Sequence, residues 1–311
     1  MKNKQTYGSI LLLITSLIWG CAFIAQKVGM EHIGPFSFCS FRFILSALFL
    51  ICIVIIRDLI VYKKLSIFVF EKKKTKIMLL GGTLCGVALA IASNFQQYAI
   101  IETTAGKSGF ITALYIVLVP LIGVFIGKKA KKMEWISVIL ALISLVLLCF
   151  KKEELTGKFT INIYDIYLLL CALFFSFQIL LIDYFSKDND CLFMAMIQFI
   201  VCAGISTILM LILDEPSFEQ VEKSIWPLLY AGVASGGIAY TLQFIGQKNT
   251  SPTIASIIMS LEAVVCLIAG AILIDEKLSI QELIGCLFMF IAIIIPQISF
   301  KVKKINKEKT R

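Results

Sequence analysis

The chain has 311 residues, of which 59% are apolar and 16% charged, and its mean hydropathy is +0.94. Soluble domains run near 45–50% apolar and about 25% charged, so these values exclude a soluble enzyme, a disordered chain and a disulfide scaffold. The net charge of +9 would suggest a nucleic-acid partner in a soluble protein, but here the basic residues gather in connectors between apolar runs, which is membrane patterning.

A bilayer core of about 30 Å needs about 20 helical residues. Ten apolar segments approach that length: 8–28, 35–56, 77–98, 104–126, 134–150, 164–184, 191–213, 225–246, 253–274 and 280–300. Runs this continuous are helices rather than barrel strands, because each helix satisfies its own backbone in lipid. The first run is too long for a cleavable leader and continues into further spans. With the N-terminus placed in the cytoplasm, 21 basic residues fall on the inner side and 5 on the outer. That bias places both termini inside, with a basic cytoplasmic tail at 301–311, in a multi-pass protein of the cell membrane.

The two halves of the chain repeat each other weakly. At an offset of 147, Leu114 falls on Leu261, Gln96 on Gln243 and Gly123 on Gly270, while the basic connector at Lys128 falls on Asp275-Glu276. At an offset of 156, Trp19 falls on Phe175 and Arg42 on Gln198. Five spans (8–150), a charged connector (151–163) and five more spans (164–300) follow the same order. An odd number of spans per half forces the halves into opposite orientations. The fold expected is therefore all-α, with ten transmembrane helices as two inverted five-helix repeats and a site between them near the midplane. Gly82-xxx-Gly86 and Gly232-xxx-Gly236 read as close helix contacts.

Catalytic and metal chemistry find little footing. A single histidine, His32, excludes His-rich metal motifs, and the ten cysteines are scattered without a CxxC pair, so no cofactor is expected. Gly106-Lys107-Ser108-Gly109 matches a serine-protease pattern, but its base would have to come from a later span and His32 lies upstream. The same residues lack the upstream glycine of a phosphate loop, since Ile101 stands there. Asn249-Thr250-Ser251 is a formal glycosylation sequon on the inner side.

Ionisable groups within spans cost about 2.5–3.5 kcal/mol each on insertion scales, so they face a cavity or a partner. Arg42 and Glu262 are the two deep ones, and each fits either a structural pair or substrate handling. Lys27 and Lys107 lie near span ends, where their side chains reach the interface. The amides Gln26, Asn94, Gln96, Gln97, Gln178, Gln198 and Gln243 must point inward, either to bond helix to helix or to line a polar path. Trp19, Tyr98, Tyr115 and Tyr240 are candidate aromatic walls, with an interfacial belt as the competing role, above all for Tyr98. Candidate substrate contacts are Trp19, Arg42, Asn94, Gln96, Gln178, Gln198, Tyr240, Gln243 and Glu262.

These residues resemble the EamA family of the drug/metabolite transporter superfamily over nearly the whole chain. Leu17-Ile18-Trp19-Gly20 with Phe23 and Lys27, then Pro35 and Arg42, are similar to the family's opening. Ser260-Leu261-Glu262-Ala263-Val264 resembles its "LEPV" stretch, and Asp275-Glu276-Lys277-Leu278 with Gln281 and Gly285 its last hinge. Ala263 stands where the family has proline, and Asp275 where it has glycine. The resemblance implies ten helices around a central cavity and a small metabolite carried by alternating access, with amino acids or related compounds first and export the direction of many relatives. The partners expected are a small-molecule substrate and the lipid bilayer, with no nucleic acid, and a monomer suffices. One alternative is a proton-coupled multidrug or cation exporter using Glu262. A membrane lipid enzyme would need an interfacial acid–base cluster that the sequence does not offer.

Overall fold

The computed structural model describes residues 2–103, 105–128, 130–149, 162–273 and 279–309. Among them the regular structure is helix, with no strand. The principal helical paths are α1 (Lys2–Gly29), α2 (Pro35–Val61), α3 (Lys72–Glu102), α4 (Ala105–Ala113, then Tyr115–Phe125), α5 (Lys132–Cys149), α6 (Ile163–Phe185), α7 (Cys191–Leu213), α8 (Ile225–Leu229 through Tyr240–Gln247), α9 (Pro252–Met259, then Glu262–Leu273) and α10 (Ile280–Lys309). Short helices Ser66–Val69 and Phe218–Lys223 sit in connectors. Eight of the paths are long and apolar enough to cross a membrane, namely α1 to α4 and α6 to α9. The expected spans 134–150 and 280–300 fall on α5 and α10, and the apolar part of α10 is the shorter stretch Ile280–Pro296. The connector 151–161, the hinge Asp275–Leu278 and the side chains of Gly106, Lys107 and 297–311 lie outside the described residues.

The helices start where the local chemistry favours starting. Pro35 opens α2, where its missing N–H would have no helical partner. The carboxylate of Asp214, from the end of α7, accepts from the Ser37 backbone N–H of α2 at 2.7 Å. Asn162 and Asp165 form a reciprocal capping box at the start of α6. Ser251 caps Ile254, with Pro252 in the first helical position of α9. At the opposite end of the α2–α7 pair, Arg57 bonds Asp190 at 2.6 Å. Asp183 at the end of α6 is held by Lys128 and, at 3.6 Å, by Lys187.

The main packing partners form a regular scheme. α1 packs on α8 and α9, and α6 packs on α3 and α4. α2 contacts α7 and α8, α7 contacts α2 and α3, and α5 lies against α10. Exchanging α1–α5 with α6–α10 leaves this scheme unchanged. Lipid is as apolar as leucine, so close fit rather than water exclusion holds such helices together. The glycine steps supply the fit. A Cβ at Gly86 of α3 would lie 2.7 Å from the Gln198 carbonyl and 2.8 Å from Val201 Cβ, both on α7. A Cβ at Gly236 of α8 would run into Ser46 of α2, and one at Gly232 would lie 2.6 Å from Leu45 Cβ. Both steps are packing contacts, as expected.

Two large apolar cores and two small ones result among the described residues. Of the large ones, one joins α4, α5, α9 and α10 around Ile116, Leu145, Ile257 and Met289. The other joins α2, α3, α6 and α7 around Leu50, Met78, Ile182 and Phe199. Phe175 packs against both, and the space beside it is where the candidate site lies.

Candidate functional site

Three departures from regular α-helix surround that space. α4 breaks at Leu114, where the Leu114 N–H bonds the Ile111 carbonyl in a single tighter turn. Pro120 follows in the second half, and its missing N–H leaves the Ile116 carbonyl without a helical donor. α9 breaks at Ser260-Leu261, with the Leu261 N–H turned to Ile258. The absence of proline at Ala263 therefore does not abolish the interruption. In α8, residues Tyr230–Ala239 form a π-helix. Its carbonyls accept side-chain donors from neighbouring helices: Thr15 bonds Ala239, Ser46 bonds Gly232 and the Trp19 indole bonds Ser235, at 3.1, 2.7 and 3.4 Å. Such wide turns recur at functional sites because they re-aim backbone groups.

The cavity between these elements has a volume of about 60 Å³. That volume has room for a few water molecules and is too small for a metabolite, so the side chains around it must part before cargo enters. Seven of the nine candidate contacts line it: Trp19, Arg42, Gln96, Gln178, Tyr240, Gln243 and Glu262. Trp19 and Tyr240 meet as an aromatic pair with centroids 4.6 Å apart. The other two candidates stand back from it. Asn94 donates to Ser206 and to the Ala90 carbonyl, both at 2.8 Å, and serves as a bond between α3 and α7. Gln198 lies one layer behind, accepting from Gln178 at 3.1 Å. Tyr98 belongs to a peripheral aromatic group with Phe36, Tyr164 and Tyr167 and is 39% exposed, which fits the belt role.

Arg42 is 7% exposed, and among the described residues no carboxylate pairs with it. One terminal nitrogen donates to Gln26 Oε1 at 3.1 Å and the other to Cys39 Sγ at 3.5 Å, while Nε has no hydrogen-bond partner. Its guanidinium carbon lies 4.6 Å from the Phe43 ring centre. A buried guanidinium with an unsatisfied donor is short of an anionic partner. Glu262 is the converse: a carboxylate 8% exposed, placed in the first turn of the second half of α9, where the helix N-terminus favours negative charge. It accepts from the Tyr115 hydroxyl at 3.0 Å.

Tyr115 and Glu262 are 147 residues apart and each is the first residue after a helix break. The same offset links further lining residues: Ser93 with Tyr240, Gln96 with Gln243, and Thr112 with Met259. The offset of 156 links Trp19 with Phe175, Ala22 with Gln178, and Phe23 with Ile179. Seven repeat-related pairs thus face one space. Ser93, Thr112 and Phe175 are ordinary residues alone; the offsets applied to the candidates Tyr240 and Trp19 find Ser93 and Phe175, while Thr112 pairs with Met259, which no sequence feature singles out. Gln26, one of the span amides outside the candidate contacts, is brought to the cavity wall by its bond to Arg42.

Comparison with known proteins bears on the family and the fold. The model of the EamA-like transporter family matches residues 6–150 and 162–296. An uncharacterized transporter of Archaeoglobus fulgidus is 28% identical over 297 residues, covering 94% of this chain and 86% of that protein. The uncharacterized transporter YoaV of Bacillus subtilis is 23% identical over 94% of this chain and 98% of its own length. A solved crystal structure superposes with a TM-score of 0.75, covering 94% of this chain and 97% of that one, at 15% identity, which supports the fold alone.

Proposed function

The chain belongs to the EamA-like transporter family, and from that premise we propose that it is a secondary transporter moving a small metabolite across the cell membrane by alternating access. Ten spans form two inverted five-helix halves, with both termini in the cytoplasm, and a single chain is the transport unit. Support for the halves comes from the two family matches, the exchange-invariant packing scheme and the lining pairs at offsets of 147 and 156.

One observation carries the choice of cargo. The cavity is lined by a guanidinium at Arg42 that no described carboxylate pairs with, by the carboxylate of Glu262, and by the aromatic pair Trp19 and Tyr240. A zwitterion satisfies both ends at once, so the cargo is an amino acid or a related compound, and its carboxylate lies against Arg42. Export is the direction proposed. A cargo that binds the folded state raises apparent stability. A thermal-shift panel of amino acids and their decarboxylated amines is the test: stabilisation by the acids, lost with the amines and in Arg42→Ala, is expected. A panel with no stabilising acid would sink this choice of cargo.

A second reading is favoured by the burial of Glu262 among aromatic rings. A carboxylate in such a place can exchange protons for a lipophilic cation. Stabilisation by lipophilic cations alone, abolished in Glu262→Gln, would move the assignment to a proton-coupled multidrug exporter.

A further inference from the structure

The repeat-related pairs account for most of the cavity wall, and the residues left over are informative. Gln26, Arg42, Phe43, Ala231, Ser235 and Gly236 line the cavity without a lining counterpart. They share one side of the molecule: Gln26 lies near the end of α1, Arg42 and Phe43 near the start of α2, and Ala231, Ser235 and Gly236 in the first half of α8. The Ser224 hydroxyl donates to the Gly29 carbonyl at 3.0 Å, so the end of α1 and the start of α8 abut.

The counterparts of Gln26, Arg42, Phe43, Ala231, Ser235 and Gly236 are Ile182, Gln198, Phe199, Leu84, Ala88 and Leu89, and none of them lines the cavity: five are buried in packing and Leu84 is 39% exposed. They lie toward the end of α6, the start of α7 and the middle of α3, on the opposite side. The cavity thus reaches from its centre toward one face only. The position that decides this is occupied by Ala22 on the open side and by Gln178 on the sealed side. Gln178 Nε2 donates to Gln198 at 3.1 Å and to Gln243 at 3.2 Å, and Gln243 donates back to Gln178 at 3.2 Å. Behind this plug Gln198 is wholly buried, yet its Nε2 has no acceptor. An unmade bond at a buried amide is costly, and its equivalent, Arg42, carries an unmade bond of its own.

We propose that Gln198 is the second holding point for the anionic end of the cargo, reached when the cavity opens to the opposite face, and that Gln178 is the side chain that closes the way to it. The proposal rests on the transport reading above. In an inverted repeat, opening the other face carries Gln198 into the position that Arg42 holds now. The cargo's carboxylate then passes from a guanidinium to a neutral amide. Charge-assisted hydrogen bonds are roughly twice as strong as neutral ones, so the cargo is held about tenfold more tightly from the Arg42 face.

The test uses the full chain in right-side-out and inside-out vesicles with a membrane-impermeant sulfonated methanethiosulfonate, the unsubstituted chain being measured in parallel. Ser235→Cys is labelled from one face and Gln198→Cys from the other. Ala88→Cys, the counterpart of Ser235, reports the same path should Gln198→Cys fail to fold. Gln198→Cys and Ala88→Cys both silent from each face, or labelled from the Ser235 face, would overturn the proposal. In proteoliposomes loaded with labelled L-amino acids, half-saturation is expected to be lower from the Arg42 face and to reverse in the double variant Arg42→Gln/Gln198→Arg. Equal values on both faces overturn the asymmetry. Liposomes that carry no amino acid overturn the choice of cargo instead, while the labelling pattern still decides whether the second path exists.

Discussion

The two sides of the central cavity are built on equivalent residues and differ in what fills them. On the Arg42 side, Ala22 leaves space, and the guanidinium faces the cavity with an open donor. On the Gln198 side, Gln178 occupies the equivalent position and spends its amide on Gln198 and Gln243. The two sides differ in side-chain volume and charge, and in backbone too, since Tyr230–Ala239 of α8 is a π-helix and the equivalent stretch of α3 is ordinary α-helix. The cavity extends further on the Arg42 side than on the Gln198 side, and under the transport reading proposed above a few substitutions should tip the balance.

The largest effect is expected on the open side. Arg42→Ala removes a cation that no carboxylate pairs with among the described residues, and bonds to charged groups are worth about 1.5–3 kcal/mol, so cargo affinity should fall by about 10- to 100-fold. Arg42→Lys restores only part of it, because an ammonium lacks the planar fork. Thermal-shift titration reads both. If Arg42→Ala bound the cargo unchanged, the open side would not be the binding side.

Next come the glycines that set helix approach. Gly236→Val on the open side drives a side chain into Ser46 and should cost about 1–3 kcal/mol of stability. Gly204→Ala in α7 meets nothing within 4 Å and should be neutral or gain up to about 1 kcal/mol, as alanine outranks glycine in a helix. Melting in detergent separates the two.

Smaller still is the plug. Gln178→Ala gives the sealed side the residue of the open side. Helix-to-helix hydrogen bonds in membranes average about 0.6 kcal/mol, so stability falls little while labelling of Ala88→Cys rises. The smallest effect belongs to Asn94→Ala: a structural bond of similar size is lost, and half-saturation stays where it was.

The sequence announced the helices because lipid demands long apolar runs, and the boundaries moved mainly where charged turns extend a helix beyond the apolar core, as at Lys72–Lys76. Arg42 and Glu262 were visible because charge is expensive in lipid. The amides were harder to place, since a buried amide satisfies its needs equally well against a helix or a cavity. Asn94 and Gln198 show this: the first bonds Ser206, and the second sits behind Gln178. Nothing in the composition of Tyr230–Ala239 announces a π-helix, which arises where three side-chain donors from α1 and α2 meet its carbonyls.

The most direct test of the transport account is sided flux. Purified protein in liposomes, loaded with labelled L-amino acids, should show saturable counterflow whose half-saturation rises about 10- to 100-fold in Arg42→Ala while Asn94→Ala leaves it unchanged. Flux that is absent from the unsubstituted protein, or that survives Arg42→Ala undiminished, would contradict a central cavity built around Arg42.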